Sequence, residues 1–219
     1  MRRIYICLIA IGFFFCARQE KALTDQEILV NQLIVNAINA GNPNALDKIV
    51  FSRLQADGSY LTRINASNLD FYIYFYFEGN KQIPLSEKDK LTWDIAFNRY
   101  KVATNSGETN RSGLGGTCKS NTTDFAVASS TSAASQGCNS FTIDSASTTQ
   151  GIGGAGAVYV GNALMTEWYN YTIGNLTPKS DIYLIRSGTG SSIYAVHIEN
   201  YYSDAGTSGY PTIRWKKLP

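Results

Sequence analysis

Between Leu91 and Gly107 the chain reads LTWDIAFNRYKVATNSG. Trp93, Ile95 and Phe97 alternate with Asp94, Ala96 and Asn98, the two-residue period of a strand with one buried face. This spacing puts Trp93 and Ile95 on one side. It also brings the Asp94 and Arg99 charges close enough to pair with each other or to hydrogen-bond backbone. Just upstream, FYIYFYF at residues 71–77 is entirely aromatic or β-branched and predicts another strand, closed by a turn at Glu78-Gly79-Asn80. Shorter strands are expected near Phe141, Val158 and Trp168. The clearest ones are at residues 182–186, 193–200 and 212–216, with SGTGSS as the hairpin turn between the first two. The pattern predicts an all-β, antiparallel domain from about Ser59 onward.

A helical lead precedes it. Thr24-Asp25-Gln26-Glu27 has the form of a capping box. Ile28, Leu29, Leu33, Ile34, Ala37 and Ile38 follow at helical spacing, and Gly41-Asn42-Pro43 stops the helix. Residues 44–51 are expected to add a short helical turn. Residues 107–150 are poor in apolar side chains and rich in Ser, Thr and Gly, which predicts a large loop or loose hairpins. No internal repeat is present. The organisation expected is a signal segment over residues 1–15, a tether over 16–23 and one domain over 24–219.

The signal segment has a short basic start and then the apolar run ICLIAIGFFF, too short to span a bilayer as a stable helix. Cys16 follows at once, and the chain turns polar in ARQEK. The layout resembles a lipoprotein signal, in which Cys16 is lipidated and becomes the first mature residue. Phe15 stands where a signal peptidase prefers a small residue, so a plain cleaved signal or an uncleaved anchor also fits. Export gives the other cysteines a meaning. Cys118 and Cys138 are the only two in the body of the chain, and in an oxidising compartment a lone pair is expected as a disulfide. Without a CxxC spacing or a second pair they make a poor zinc site.

Charge excludes one partner class. Nineteen Lys and Arg stand against 17 Asp and Glu, and no basic run is present beyond the Arg2-Arg3 and Lys216-Lys217 pairs, so nucleic acid is not an expected partner. Enzymatic readings find little support. A Ser-His-Asp triad would have to use the single histidine, His197, and no GxSxG elbow precedes it. Gly151-Ile152-Gly153-Gly154-Ala155-Gly156 lacks the Lys-Ser/Thr of a phosphate loop and no helical pattern follows it, which makes it a flexible loop.

The segment WDIAFNRY…NSG, the aromatic strand before it, and IYLIRSGTGSSIYAVHIENYYSDAGTSGYPTIRW from Ile182 to Trp215 together resemble the HmuY-like proteins, bacterial surface lipoproteins that bind haem. The resemblance runs from about Asn65 to the end. It implies an antiparallel β-sandwich-type fold, an outer-membrane or cell-surface location through a lipid anchor, haem or a related small apolar ligand as cargo, no catalysis, and an outer-membrane receptor or host protein as partner. HmuY-like proteins hold haem with His or Met pairs on hairpins between the two signature blocks, one ligand lying in a W-x-x-x-x-H-G pattern. Here that pattern reads Trp168-Tyr169-Asn170-Tyr171-Thr172-Ile173-Gly174, and an isoleucine cannot ligate iron. The candidates left for haem contact are Met165, as a thioether, and Tyr169 and Tyr171, as phenolates or propionate partners. Each also has an ordinary reading, core filling for Met165 and strand packing for the tyrosines. His197 matches no family ligand and is expected as a solvent-facing or hydrogen-bonded strand residue. The alternative function is a structural or adhesive surface module that kept the fold after losing haem ligation.

Overall fold

A computed structural model describes residues 25–40, 42, 44–150 and 157–219. The signal, Cys16, the tether, Thr24 and the Gly151–Gly156 loop lie outside them. The chain divides into two units, one ending at Ala37 and one running from Ile38 to Pro219. Helix α1 (Asp25–Ala40) lies mostly in the first and runs three residues past its end, with Ile28, Leu29, Val30, Leu33 and Ile34 all exposed. Among the described residues no helix is long and apolar enough to cross a membrane.

The second unit is built from antiparallel strands. Six of them form one sheet in the order β1 (Ile49–Leu54), β2 (Tyr60–Ile64), β14 (Ser208–Lys217), β13 (Ile193–Tyr202), β12 (Ile182–Arg186) and β7 (Gly116–Lys119). Four form a second sheet in the order β4 (Lys81–Ile83), β3 (Ile73–Tyr76), β5 (Ile95–Asn98) and β6 (Lys101–Thr104). Two hairpins complete the β structure, β8 (Ser145–Gln150) with β9 (Ala157–Gly161), and β10 (Tyr169–Thr172) with β11 (Asn175–Pro178). The helical turn expected over residues 44–51 is replaced at Ile49 by strand β1, where an Ile-Val-Phe run favours extended backbone and pairs with β2.

Register explains the core. In β12 and β13, Tyr183 lies opposite Val196 and Ile185 opposite Tyr194; in β3 and β5, Ile73 lies opposite Phe97 and Phe75 opposite Ile95. These residues face each other between the sheets in one cluster that also takes in Trp168, Ile213 and Trp215. Each sheet buries its other face as well. Behind the large sheet, Ile182, Leu184 and Ala195 are covered by Phe125 and Ala128 of α2 (Phe125–Ala128) and by Cys138. Behind the small sheet, Tyr74, Ala96 and Ala103 pack on Trp93. Strand β5 is therefore buried on both sides, not half-buried as its alternation suggested, and Trp93 packs opposite to Ile95. Cys118 and Cys138 form a disulfide that ties β7 to the end of the Ser/Thr-rich excursion. That excursion carries β7, α2 and all of β8, which pairs with β9 as a hairpin, the second of the two forms expected for it.

Asp94 does not pair with Arg99. Its carboxylate accepts the backbone N–H of Phe77 at 2.9 Å and of Gly188 at 3.0 Å, joining the turn after β3 to the turn after β12. Arg99 instead donates to Ser208 Oγ at 2.9 Å. Burial outweighs the two N–H bonds and, helped by the Glu78 charge, pushes Asp94 up to about 6. A folded-state value above the unfolded one means that the contribution of Asp94 is full below about pH 4 and is lost as pH rises through 6. Two pH units correspond to about 3 kcal/mol. Asp94→Asn keeps the shape but loses one acceptor, which should cost about 1–3 kcal/mol at pH 4. Between pH 4 and 7 the variant should then gain about 3 kcal/mol relative to the parent. Urea melts of both proteins across that range test this, and parallel pH profiles would refute it.

Candidate functional site

The β10–β11 hairpin is the part of the fold that carries the site candidates. Thr172 pairs with Asn175, leaving Ile173 and Gly174 as a two-residue turn with φ of 26° and 79°. Two positive φ values in succession define the hairpin turn that suits glycine and asparagine. A β-branched residue there is a genuine outlier, at a cost of about 1 kcal/mol. Ile173 is also 97% exposed, so packing does not offset the strain.

Beneath the turn lies a recess of about 180 Å³ lined by Tyr100, Tyr171, Leu176, Tyr201 and Tyr202, with Arg99 and Ser208 at its edge. Three strand ends build it. The β5–β6 turn supplies Arg99, which has φ 52°, and Tyr100; the end of β13 supplies Tyr201 and Tyr202; the hairpin supplies Tyr171 and Leu176. Hydrogen bonds fix the phenols. The Gly174 N–H donates to the Tyr171 hydroxyl at 3.1 Å, and the Leu176 N–H donates to the Tyr202 hydroxyl at 2.8 Å, fastening the hairpin to β13. Burial pushes Tyr201 up to about 12 against the pull of the neighbouring Arg99, so it stays a neutral phenol at neutral pH. Burial raises Tyr72 and Tyr159 as well.

The three sequence candidates do not meet at one opening. Met165 is fully buried in the core between the sheets, and Tyr169, 7% exposed, packs in the same core against Trp168 and Tyr100. Tyr171 is half-exposed and lines the recess. His197 lies on the other face of β13 from Val196 and Ile198, with its Nε2 3.3 Å from the Lys179 carbonyl and Nδ1 3.9 Å from Glu199. Arg99, Tyr100, Tyr201 and Tyr202 were missed by sequence reading. The doublet in IENYY was visible, but nothing in the sequence tells which tyrosines of a tyrosine-rich chain share an opening. Among the described residues no group of three or more His, Cys, Asp or Glu could hold a metal ion.

The donor set fits haem at one point: an exposed phenol, Tyr171, beside an apolar tip and an arginine, with tyrosine among the residues able to ligate haem iron. Comparison with known proteins agrees with the fold. Residues 68–215 match the model of the HmuY protein family. A Bacteroides fragilis protein named as a lipoprotein is 21% identical, with a TM-score of 0.54 over 75% of this chain and 91% of that one. A Bacteroides vulgatus protein named as HmuY-like and haem-binding is 20% identical, with a TM-score of 0.52 over 72% and 90%. An apo HmuY analogue of Tannerella forsythia is 13% identical, with a TM-score of 0.55 over 79% and 100%. Such identities show a shared fold. Among curated protein sequences none matches. Since the family match takes in more than half of the sequence, the chain belongs to the HmuY family.

Proposed function

We propose that this protein is an exported, lipid-anchored surface protein that binds haem or a related flat apolar ligand, without catalysis, at the tyrosine recess of the β10–β11 hairpin. The observation that carries the reading is the convergence on one opening of Tyr171 and Leu176, from the segment in which the resemblance places the family's ligands, with Tyr202 and Arg99 from the two flanking blocks. The recess is far smaller than a porphyrin, so a ring would lie across its mouth against Tyr171 and the Ile173 tip. Arg99 would offer a charge to a carboxylate edge, and Tyr171 an oxygen to the iron. Burial of apolar ring surface would supply most of the affinity. The name of the Bacteroides vulgatus neighbour as haem-binding supports haem as cargo, and that of the Bacteroides fragilis neighbour as a lipoprotein supports lipidation. An outer-membrane receptor or a host protein is the partner such a carrier would meet.

Haemin titrated into the full-length chain should give a saturable one-to-one complex with a sharp Soret shift, read in both iron oxidation states. Tyr171→Phe keeps the ring and removes the oxygen, so it should alter the ferric spectrum and weaken binding about tenfold. A spectrum no different from haemin with an inert protein would retire the haem reading. It would favour the second one, a surface or adhesive module that has lost haem ligation, which the exposed Ile173 in the place of a histidine and the burial of Met165 support. The anchor has its own test. Cys16→Ala should remove the acyl mass and release the protein from the membrane fraction, and an unchanged mass would rule the anchor out.

A further inference from the structure

The chain enters the β10–β11 hairpin through the 3₁₀ turn Ala163–Glu167 and leaves it through Lys179 and Asp181 into β12. Where these two segments pass β7, at the edge of the large sheet, a pocket of about 290 Å³ remains. It is lined by Lys119, Leu164, Glu167, Lys179, Asp181 and Tyr183. Register brings three of them to one face: Tyr183 lies opposite Lys119, and Asp181 stands two residues before it. Lys119 Nζ pairs with Asp181 Oδ2 at 2.8 Å.

Tyr183 forms the floor. It is 1% exposed, and its ring belongs to the core between the sheets. A phenol so deeply buried ordinarily finds a hydrogen-bond partner. The Tyr183 hydroxyl has none among the described residues, yet it is not sealed from solvent, because it ends in the pocket. Burial, with the charges of Asp181 and Glu167 behind it, pushes this hydroxyl up. It therefore meets the pocket as a neutral group that both donates and accepts.

Two carboxylates and two ammonium groups share the rim, so a charged ligand would meet one like charge for each opposite one. The Lys119–Asp181 pair also interleaves the signs, which leaves no single-signed side for either end of a zwitterion. Hydroxyl groups suit such a lining, since each gives a hydrogen to a carboxylate and takes one from an ammonium. Among the described residues the Glu167 carboxylate and the Lys179 ammonium have no partner that a ligand would have to displace. Leu164, 38% exposed, offers an apolar patch to the C–H face of a ring. The volume lies at the small end of ligand pockets, about 300–1,000 Å³, and admits one ring rather than a chain.

We propose that this pocket binds a single neutral sugar ring, with the Tyr183 hydroxyl bonded to a sugar hydroxyl at the floor and Glu167 and Lys179 bonded to others at the rim. It is separate from the tyrosine recess and stands whether or not that recess binds haem.

The probes are methyl β-D-glucopyranoside and methyl β-D-galactopyranoside, titrated into the full-length chain and followed by saturation-transfer NMR. Saturable binding of at least one is expected in the millimolar range. Tyr183→Phe should weaken it about fivefold with an unchanged unfolding midpoint, because the hydroxyl has no protein partner to lose. Glu167→Gln, at an exposed site, should weaken it about threefold. Cellobiose binding as well as the monosaccharide would assign the pocket to the end of a glycan, and weaker cellobiose would assign it to a free sugar. No saturation by either glycoside, or binding indifferent to both variants, would overturn the proposal. So would tighter binding of glycine, acetate or methylammonium, or a midpoint several degrees lower in Tyr183→Phe.

Discussion

Asp144→Ala is expected to destabilise the protein by about 4 kcal/mol, among the largest effects of any single polar substitution in the chain. The carboxylate is 2% exposed and accepts four hydrogen bonds. They come from the Thr104 N–H at 2.7 Å, the Thr104 hydroxyl at 2.6 Å, the Thr109 hydroxyl at 2.7 Å and the Asn162 amide at 3.0 Å. Those donors belong to three separated segments: the end of β6, the loop after it, and the residue that caps the 3₁₀ turn Ala163–Glu167. Backbone follows side chain here. The Asp144 N–H donates to Ser106 Oγ at 3.1 Å and its carbonyl accepts from Glu108 N–H at 3.2 Å. Gly107, at φ 53°, passes so close that an added Cβ would come 2.1 Å from the Asp144 carbonyl oxygen. Burial raises the carboxyl above its ordinary value in spite of the four donors. In either protonation state, alanine leaves the Thr104 N–H and the Asn162 amide buried without this acceptor. Asp144→Asn, which keeps the shape and one acceptor, should cost about half as much. Urea denaturation with the two variants measures this directly, and a loss below about 1 kcal/mol for alanine would show that the network is not holding these segments together.

Nothing around Asp144 pointed to this role in the sequence, and the reason is general. Strand content follows from local alternation, so β12, β13 and β14 stand close to where IYLIR, IYAVHIEN and TIRWK put them. The side on which a residue packs depends on what covers it. Strand β5 alternates as if one face were wet, yet Trp93 and its neighbours seal the second face, and no local pattern encodes that. Polar residues are less legible still. Asp94, flanked by Trp93 and Ile95, offered pairing or backbone bonding, and the structure chooses the backbone because two turns bring Phe77 and Gly188 to it from 17 and 94 residues away. The cysteine pair was readable because a chain expected to be exported, with two cysteines in its body, leaves one partner for each. The recess was half readable: the resemblance to the family's W-x-x-x-x-H-G pattern marked the hairpin, while Tyr201 and Tyr202 join it only through the register of β13.

The hairpin's attachment to the core rests largely on Trp168, and its loss should be felt both globally and at the recess. A two-stranded hairpin by itself is marginally stable at best, and β10–β11 belongs to neither of the large sheets. Trp168, 1% exposed, stands at its foot. Its ring packs edge-on against Tyr169 at 5.0 Å and tilted against Tyr201 at 5.8 Å, its Nε1–H donates to the Tyr100 carbonyl at 2.8 Å, and its own carbonyl accepts the Lys179 N–H at 2.9 Å just past β11. Through these bonds it joins the hairpin to two of the elements that line the recess. Trp168→Ala should cost about 4 kcal/mol, from lost burial and the cavity left behind. Trp168→Phe should cost about 1–2 kcal/mol, mainly from the Tyr100 carbonyl left without its donor. The two variants separate packing from hydrogen bonding. They also separate the hairpin from the rest of the sandwich. Amide exchange over Tyr169–Pro178 should accelerate in Trp168→Ala well beyond the amides of β13 and β14, because the sheets keep their own register while the hairpin loses its foothold. A recess whose walls are no longer held together should then lose the ligand we propose for it even where most of the fold survives. Uniform loss of protection across hairpin and sheets would show instead that the hairpin melts only with the whole domain, and that the recess is as rigid as the core behind it.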